Sequence, residues 1–243
     1  MLRCILLSLA LVVSPAAAIA QSGTDNLIPL TCLLSPDMTS DIGSDRTGIV
    51  EAVPVSRADL VKIGEVLVEL DTARIRAELR LSEITIEALT AQIARSERLS
   101  ENNLIPADEI EQQRTELKLA DAEADRARLE LDKSFVRAPF SGVVTSVSVA
   151  PGEVIGSEPL MQLVDISTLK AEMIFFDSAF GEIEKGREVE LTVDLLGVSV
   201  WGKVIAIDPV LDAASNSFSV SAEIANEDFA LPAGVSCRVT GWR

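Results

Sequence analysis

Between residues 71 and 133 the inward-type positions recur at alternating steps of four and three. Ile75, Leu79, Ser82, Ile86, Leu89, Ile93 and Ser96 mark a first arm. Ile110, Gln113, Leu117, Ala120, Ala124, Ala127 and Leu131 mark a second. A 3.5-residue period is that of a helix facing one partner, so the stretch predicts an antiparallel coiled-coil hairpin. Asn102-Asn103 separates the arms, and Pro106 suits the first turn of the returning helix, where its missing N–H costs nothing. Asp71 or Thr72 supplies the first N-cap. Arms of about 28 residues at 1.5 Å rise would project about 40 Å. So narrow a hairpin buries little by itself and must be anchored by what flanks it.

On both sides of the hairpin the period changes to two. Before it come Gly48-Ile49-Val50 and then Val66, Val68 and Leu70 alternating with Leu67 and Glu69. After it the same order returns: Gly142-Val143-Val144, the Pro151-Gly152 turn, Gly156, and an apolar run at 160–164. The two halves, 43–70 and 134–166, therefore predict one flattened sandwich of short strands with the hairpin 71–133 inserted. Residues 167–243 predict a small β-barrel, with strands at 171–176, 189–193, 201–207, 217–224 and a last one opened by Leu231-Pro232-Ala233-Gly234. A short helix is expected at 180–185, ended by Gly186. The lead, 21–42, reads as polar loop with an edge strand at 30–34 that could join the barrel. The fold class is mixed α and β: a split sandwich, an inserted helical hairpin, then a barrel.

The first twenty residues read as a secretory signal. Arg3 precedes an apolar run at 5–13, and Ala18-Ile19-Ala20 forms an A-x-A cleavage site. A single-span anchor is the other reading, but the run is shorter than the ~20 residues a span needs. The chain carries 38 acidic against 21 basic residues, a net charge of −17; cleavage removes Arg3 and no acid, leaving −18. That balance argues against nucleic acid and anionic lipid as partners. Cys32 and Cys237 remain near opposite ends, either bridged in an oxidising compartment or kept as two buried thiols.

Catalytic chemistry finds little material. The chain has no histidine, which excludes a His-based triad, a general-base His and a His-ligated zinc site. Its many carboxylates lie on the helices as a solvated surface, and no glycine-rich loop precedes a helix to cradle phosphate. Met38, Met161 and Met173 are too scattered for a soft-metal site, and no cofactor is expected.

The sequence Arg137-Ala138-Pro139-Phe140-Ser141-Gly142-Val143-Val144, with two half-motifs split by a hairpin, resembles the periplasmic adaptors, or membrane fusion proteins, of the HlyD family. The resemblance implies two biotinyl/lipoyl-like half-motifs, each one side of the hairpin, followed by the barrel. A lipoyl carrier would need a lysine at the turn between half-motifs. The coiled coil replaces that turn, Lys62 lies inside a half-motif and Lys133 at the helix exit. The resemblance implies a non-enzymatic periplasmic subunit of a tripartite efflux system. It would bridge an inner-membrane pump of the resistance-nodulation-division (RND) type to an outer-membrane exit duct of the TolC type; an ATP-driven (ABC-type) exporter or a secretion system is the alternative. Ring assembly is implied, hexameric on the pump, with polar hairpin flanks expected to hold it weakly. Docking on the duct falls to Arg95 and Leu99 at the tip, with Pro106 where the family pattern has Ser. Exposed barrel loops at 176–180 and 211–216 would face the pump, with Phe175, Phe176 and Phe180 as barrel packing. A Cys32–Cys237 bridge would clamp the barrel's closing strands. The chain reads as a minimal, three-module adaptor.

Overall fold

The computed structural model describes residues 27–102 and 104–243; the signal segment, residues 1–20, lies outside them. The hairpin comprises α1 (Ala73–Ser100) and α2 (Ala107–Asp132). Every seam position named from the sequence is buried or half-buried. Along α2 no other position is, and along α1 only Ser100 joins them. The seam is asymmetric: Ala120, Ala124 and Ala127 of α2 admit the larger Ile and Leu side chains of α1. Asp71 rather than Thr72 caps the first helix, its carboxylate accepting from the Ala73 N–H at 2.9 Å. Pro106 stands one residue outside α2, as its N-cap in extended conformation, rather than in its first turn.

The hairpin rises from a lipoyl-like unit. Its first half supplies β2 (Gly48–Ala52), β3 (Leu60–Val61) and β4 (Val66–Leu70). Its second supplies β5 (Phe135–Arg137), β6 (Gly142–Val147), β7 (Val154–Ile155) and the start of β8 (Met161–Phe176). The halves exchange strands: β2 pairs with β7 and β3 with β6, each antiparallel. Neither half closes its own core; Val50, Leu67, Leu70, Val144 and Leu163 are buried together. The two ends of the hairpin meet where β4 pairs with β5.

A second core fills the barrel. Its strands are β1 (Thr31–Ile42), β8, β9 (Glu188–Val193), β10 (Val198–Ile207), β11 (Ser217–Ala225) and β12 (Val235–Trp242). They run in the order β1-β12-β9-β10-β11-β8, and β1 pairs with β8 to close the ring. Three sequence expectations need correction. The lead is not loop with an edge strand: β1 spans twelve residues and lies between β12 and β8. The apolar segments at 160–164 and 171–176 are not two strands but one, since β1 pairs along both. Residues 180–185 form turns, not a helix, because Gly181 takes φ +90° and ends the turn; one 3-10 turn covers Asp177–Ala179 instead.

β1 meets β12 over only Leu33–Ser236 and Leu34–Val235, the shortest seam of the ring. The structure places the disulfide there, joining Cys32 to Cys237 with Cα atoms 5.0 Å apart at a sequence separation of 205. Phe175 packs inside against Phe218, and Trp242 donates its indole N–H to the Leu27 carbonyl at 3.0 Å, so the first and last stretches of the described residues are tied at one rim.

Two outcomes follow. Replacing both Cys32 and Cys237 by Ala should lower unfolding free energy by about 3–5 kcal/mol relative to the oxidised protein, read by denaturant titration; equal midpoints would show that the β1–β12 seam holds without it. Ala124→Leu should overpack the seam and cost the hairpin about 1–3 kcal/mol, read as an earlier loss of helical circular dichroism on heating.

Candidate functional site

The hairpin's two flanks differ. On one, each arm presents the position that follows an inner seam residue, and the charges neutralise across the arms. Arg114 donates to Glu97 at 2.8 Å and Arg128 to Glu83 at 3.4 Å. The Glu97 carboxylate, with Glu111 alongside, raises the Arg114 pKa further above its ordinary value. On the opposite flank α2 presents Glu109, Glu116, Glu123 and Glu130 at seven-residue steps, with Glu78, Thr85, Gln92 and Leu99 across from them on α1. Arg95 and Leu99 belong to this second flank, one helical turn apart on the same face.

At the apex the chain turns back between Ser100 and Ala107. Backbone bonds hold it: the Asn102 and Leu104 N–H groups both donate to the Leu99 carbonyl at 3.1 Å. Arg95, Leu99 and Pro106 are all exposed, and among the described residues no carboxylate forms an ion pair with Arg95. The structure thus leaves all three at the free end. It adds one that sequence reasoning missed: Leu104 is 68% exposed, the most exposed leucine of the molecule's described residues. Its signal was a leucine in an interhelical turn, off the seam period. Just below the apex the seam carries a polar layer, Ser96 facing Gln113, both nine-tenths buried, with Gln113 Oε1 lacking a protein partner.

The base of the hairpin is held by the link between β1 and β2. Arg46 donates to the Glu130 carbonyl at 2.6 Å and to Ser134 Oγ at 3.0 Å. This satisfies a carbonyl that the helix end leaves free and sets a cation against the negative end of its dipole. Lys133 pairs with Asp45 at 2.9 Å; the ammonium holds the Asp45 carboxyl below its ordinary range, and the carboxylate raises Lys133.

The backs of the helices are not purely polar. Ala77, Leu81, Ile84, Ala88 and Ala91 form a second, exposed stripe of heptad spacing on α1; Leu119, Ala122 and Leu129 lie on the matching face of α2. The flanks are polar as expected, and the apolar stripes on the backs are an addition, because a heptad register was read only for the inner seam. On the barrel, Phe180 packs edge-on against Phe218 while staying half-exposed, but Phe176 points outward, so it does not pack as expected. Leu211 is exposed on the neighbouring loop, whose Asp212 carboxylate is held below its ordinary range by the Ala214 and Ser215 N–H groups. Met161 and Met173 lie in the two cores.

Residues 169–241 match the family model described as CusB-like, beta-barrel domain. The chain is 26% identical over 226 residues to the nodulation protein NolF of Rhizobium meliloti, covering 86% of this chain and 62% of that protein. It is 24% identical over 214 residues to the multidrug resistance protein MdtA of Photorhabdus laumondii, covering 78% and 53%. The chain thus spans about half to three-fifths of the length of these relatives. Among solved structures, a MacA–MexA chimera carrying the Pseudomonas aeruginosa MexA α-hairpin superposes with a TM-score of 0.74 at 18% identity, over 88% of this chain and 79% of that one. The membrane fusion protein Spr0693 of Streptococcus pneumoniae gives 0.69 at 17%, over 87% and 97%. With a barrel, a split lipoyl-like unit and an inserted hairpin, the chain shares the fold of the solved membrane fusion protein, and its barrel matches the CusB-like family model.

Proposed function

We propose that this chain is the periplasmic, non-catalytic adaptor of a tripartite efflux assembly, linking an inner-membrane pump of the RND type to an outer-membrane exit duct. The observation that carries this reading is the placement of an unpaired arginine and two exposed leucines at the free end of the hairpin. Arg95 offers charge-assisted hydrogen bonds to carbonyls or carboxylates of a duct, and Leu99 with Leu104 offers apolar area beside it. Pro106 fixes the entry of the returning helix. The barrel, at the other end, is the pump-facing module. The RND label of the matched barrel model and the multidrug-resistance name of the MdtA relatives support that pump class. The protein works mechanically: hairpins stand side by side, seal a conduit and carry the pump's state to the duct.

The exposed stripes supply the side-by-side contact. The α1 stripe of one copy meets the α2 stripe of the next, a head-to-tail contact that closes into a ring when the rotation allows. We expect a hexamer.

In-cell cysteine crosslinking tests the docking. Leu99→Cys and Leu104→Cys should each form an adduct with an outer-membrane protein, and Glu87→Cys, on the hairpin wall, should not. Capture through the barrel alone, with an unreactive tip, would remove the duct from the assembly; capture of an ATP-binding inner-membrane protein would make the chain an exporter adaptor. For the ring, Leu81→Gln with Ile84→Gln should weaken self-association roughly ten-fold by mass photometry while the helix signal stays intact, since exposed substitutions alter fold stability by about 0.5 kcal/mol or less. Unchanged association would place the contact elsewhere.

A further inference from the structure

The barrel and the lipoyl-like unit have separate cores. Among the described strands, only β1 and β8 run through both. At the crossing, β8 changes its neighbour on one edge. It pairs with β11 from Thr168 onward and with β6 up to Val164. Residues 165–167 therefore have no strand beside them on that edge. The other edge is uneven as well: Ile166, Ser167 and Thr168 stand opposite the single residue Asp37 of β1. A backbone that leaves its ladder in this way has carbonyls that need donors.

One residue supplies them. Asn226, at the end of β11, is 5% exposed. Its backbone N–H donates to the Ser167 carbonyl at 2.8 Å. Its side-chain amide donates to the Ile166 carbonyl at 2.7 Å and to the Leu231 carbonyl at 2.9 Å, and its carbonyl oxygen accepts from the Leu231 N–H at 2.9 Å. Asn226 thus fills the gap between β11 and β6 and ties the loop before β12 to the same point. On the β1 edge, Lys170 Nζ lies 2.9 Å from the Asp37 carboxylate and donates to the Asp37 carbonyl at 3.2 Å. Immediately beyond the gap, β6 approaches so closely at Gly142 that a Cβ there would lie 2.5 Å from the Val164 carbonyl oxygen.

We infer that this crossing is a set elbow: Asn226 fixes the direction of the lipoyl-like unit and its hairpin relative to the barrel, with Lys170–Asp37 as the second tie. Asn226 is a positioning residue. It acts through the β8 backbone, and a small rotation there grows along the hairpin into a large displacement of the tip. This inference concerns the joint itself and stands whether or not the tip docks on a duct.

The test is a distance distribution in the full chain with its disulfide formed. Spin labels at Glu87→Cys on the hairpin and Lys203→Cys on the barrel, both exposed sites, report the elbow by double electron–electron resonance. The parent should give one narrow distance. Asn226→Ala should widen it roughly two-fold as additional orientations become populated. Val204→Ala, a cavity in the barrel core, should lower the melting temperature and leave the width unchanged. Should Asn226→Ala fail to fold, Lys170→Ala on the partly exposed edge carries the test and should widen the distribution as well. An unchanged width in the variant that carries the test, or equal widening in Val204→Ala, overturns the elbow.

Discussion

The hairpin depends on the pairing of β4 with β5. Two helices of 28 and 26 residues share a seam one or two side chains wide, so their direction is set at their base. There Val66, Val68 and Glu69 pair with Arg137, Val136 and Phe135, and the Leu70 N–H donates to the Ser134 carbonyl at 2.9 Å. Arg46 then ties the last turn of α2 to the link from β1. Breaking that small sheet would leave a helical pair with no fixed orientation, whatever its own stability.

The same economy runs through the chain. Each lipoyl-like half borrows strands from the other, so neither can bury its apolar face alone. The barrel closes through its two longest strands, and among the described strands these alone continue into the lipoyl-like unit. The disulfide sits where the ring's pairing is shortest, and Asn226 sits where β8 changes neighbours. Polar or covalent ties thus appear at the points where strand pairing runs out. The chain's large acidic excess is carried on helix flanks and strand exteriors, where water solvates it.

How much was legible in the sequence depended on the range of the interaction. The seam was read residue by residue because a heptad is local: Ile75 and Leu79 declare their shared face without reference to the rest of the chain. The repeated half-motifs were legible because the same order of glycine, strand and turn occurs twice. β1 was not, because its partner lies more than a hundred residues away and its polar residues face solvent, imitating a loop. Nor was the continuity of β8, since Asp165 and Ser167 look like a break when the strand beside them is unknown. Residues 180–185 misled for another reason: six residues are too few to outweigh nucleation, and Gly181 adopts a left-handed backbone. At the tip, Arg95 and Leu99 are expected from the resemblance to the adaptor family's tip pattern, whereas the exposure of Leu104 depends on the path of the turn. Asn226 gave no signal, because an asparagine before Glu227 and Asp228 reads as ordinary turn chemistry.

With the hairpin tip at one end and the barrel at the other, the proposed adaptor would span a gap between two partners. The most direct test is single-particle cryo-electron microscopy of the assembly captured by crosslinking in cells. The account predicts hairpin tips meeting an outer-membrane partner end-on, with residues 95–106 at the contact and the barrels at the opposite end against an inner-membrane partner. Density in which both partners bind the barrels, or in which the hairpins lie flat along a partner with their tips free, would contradict it.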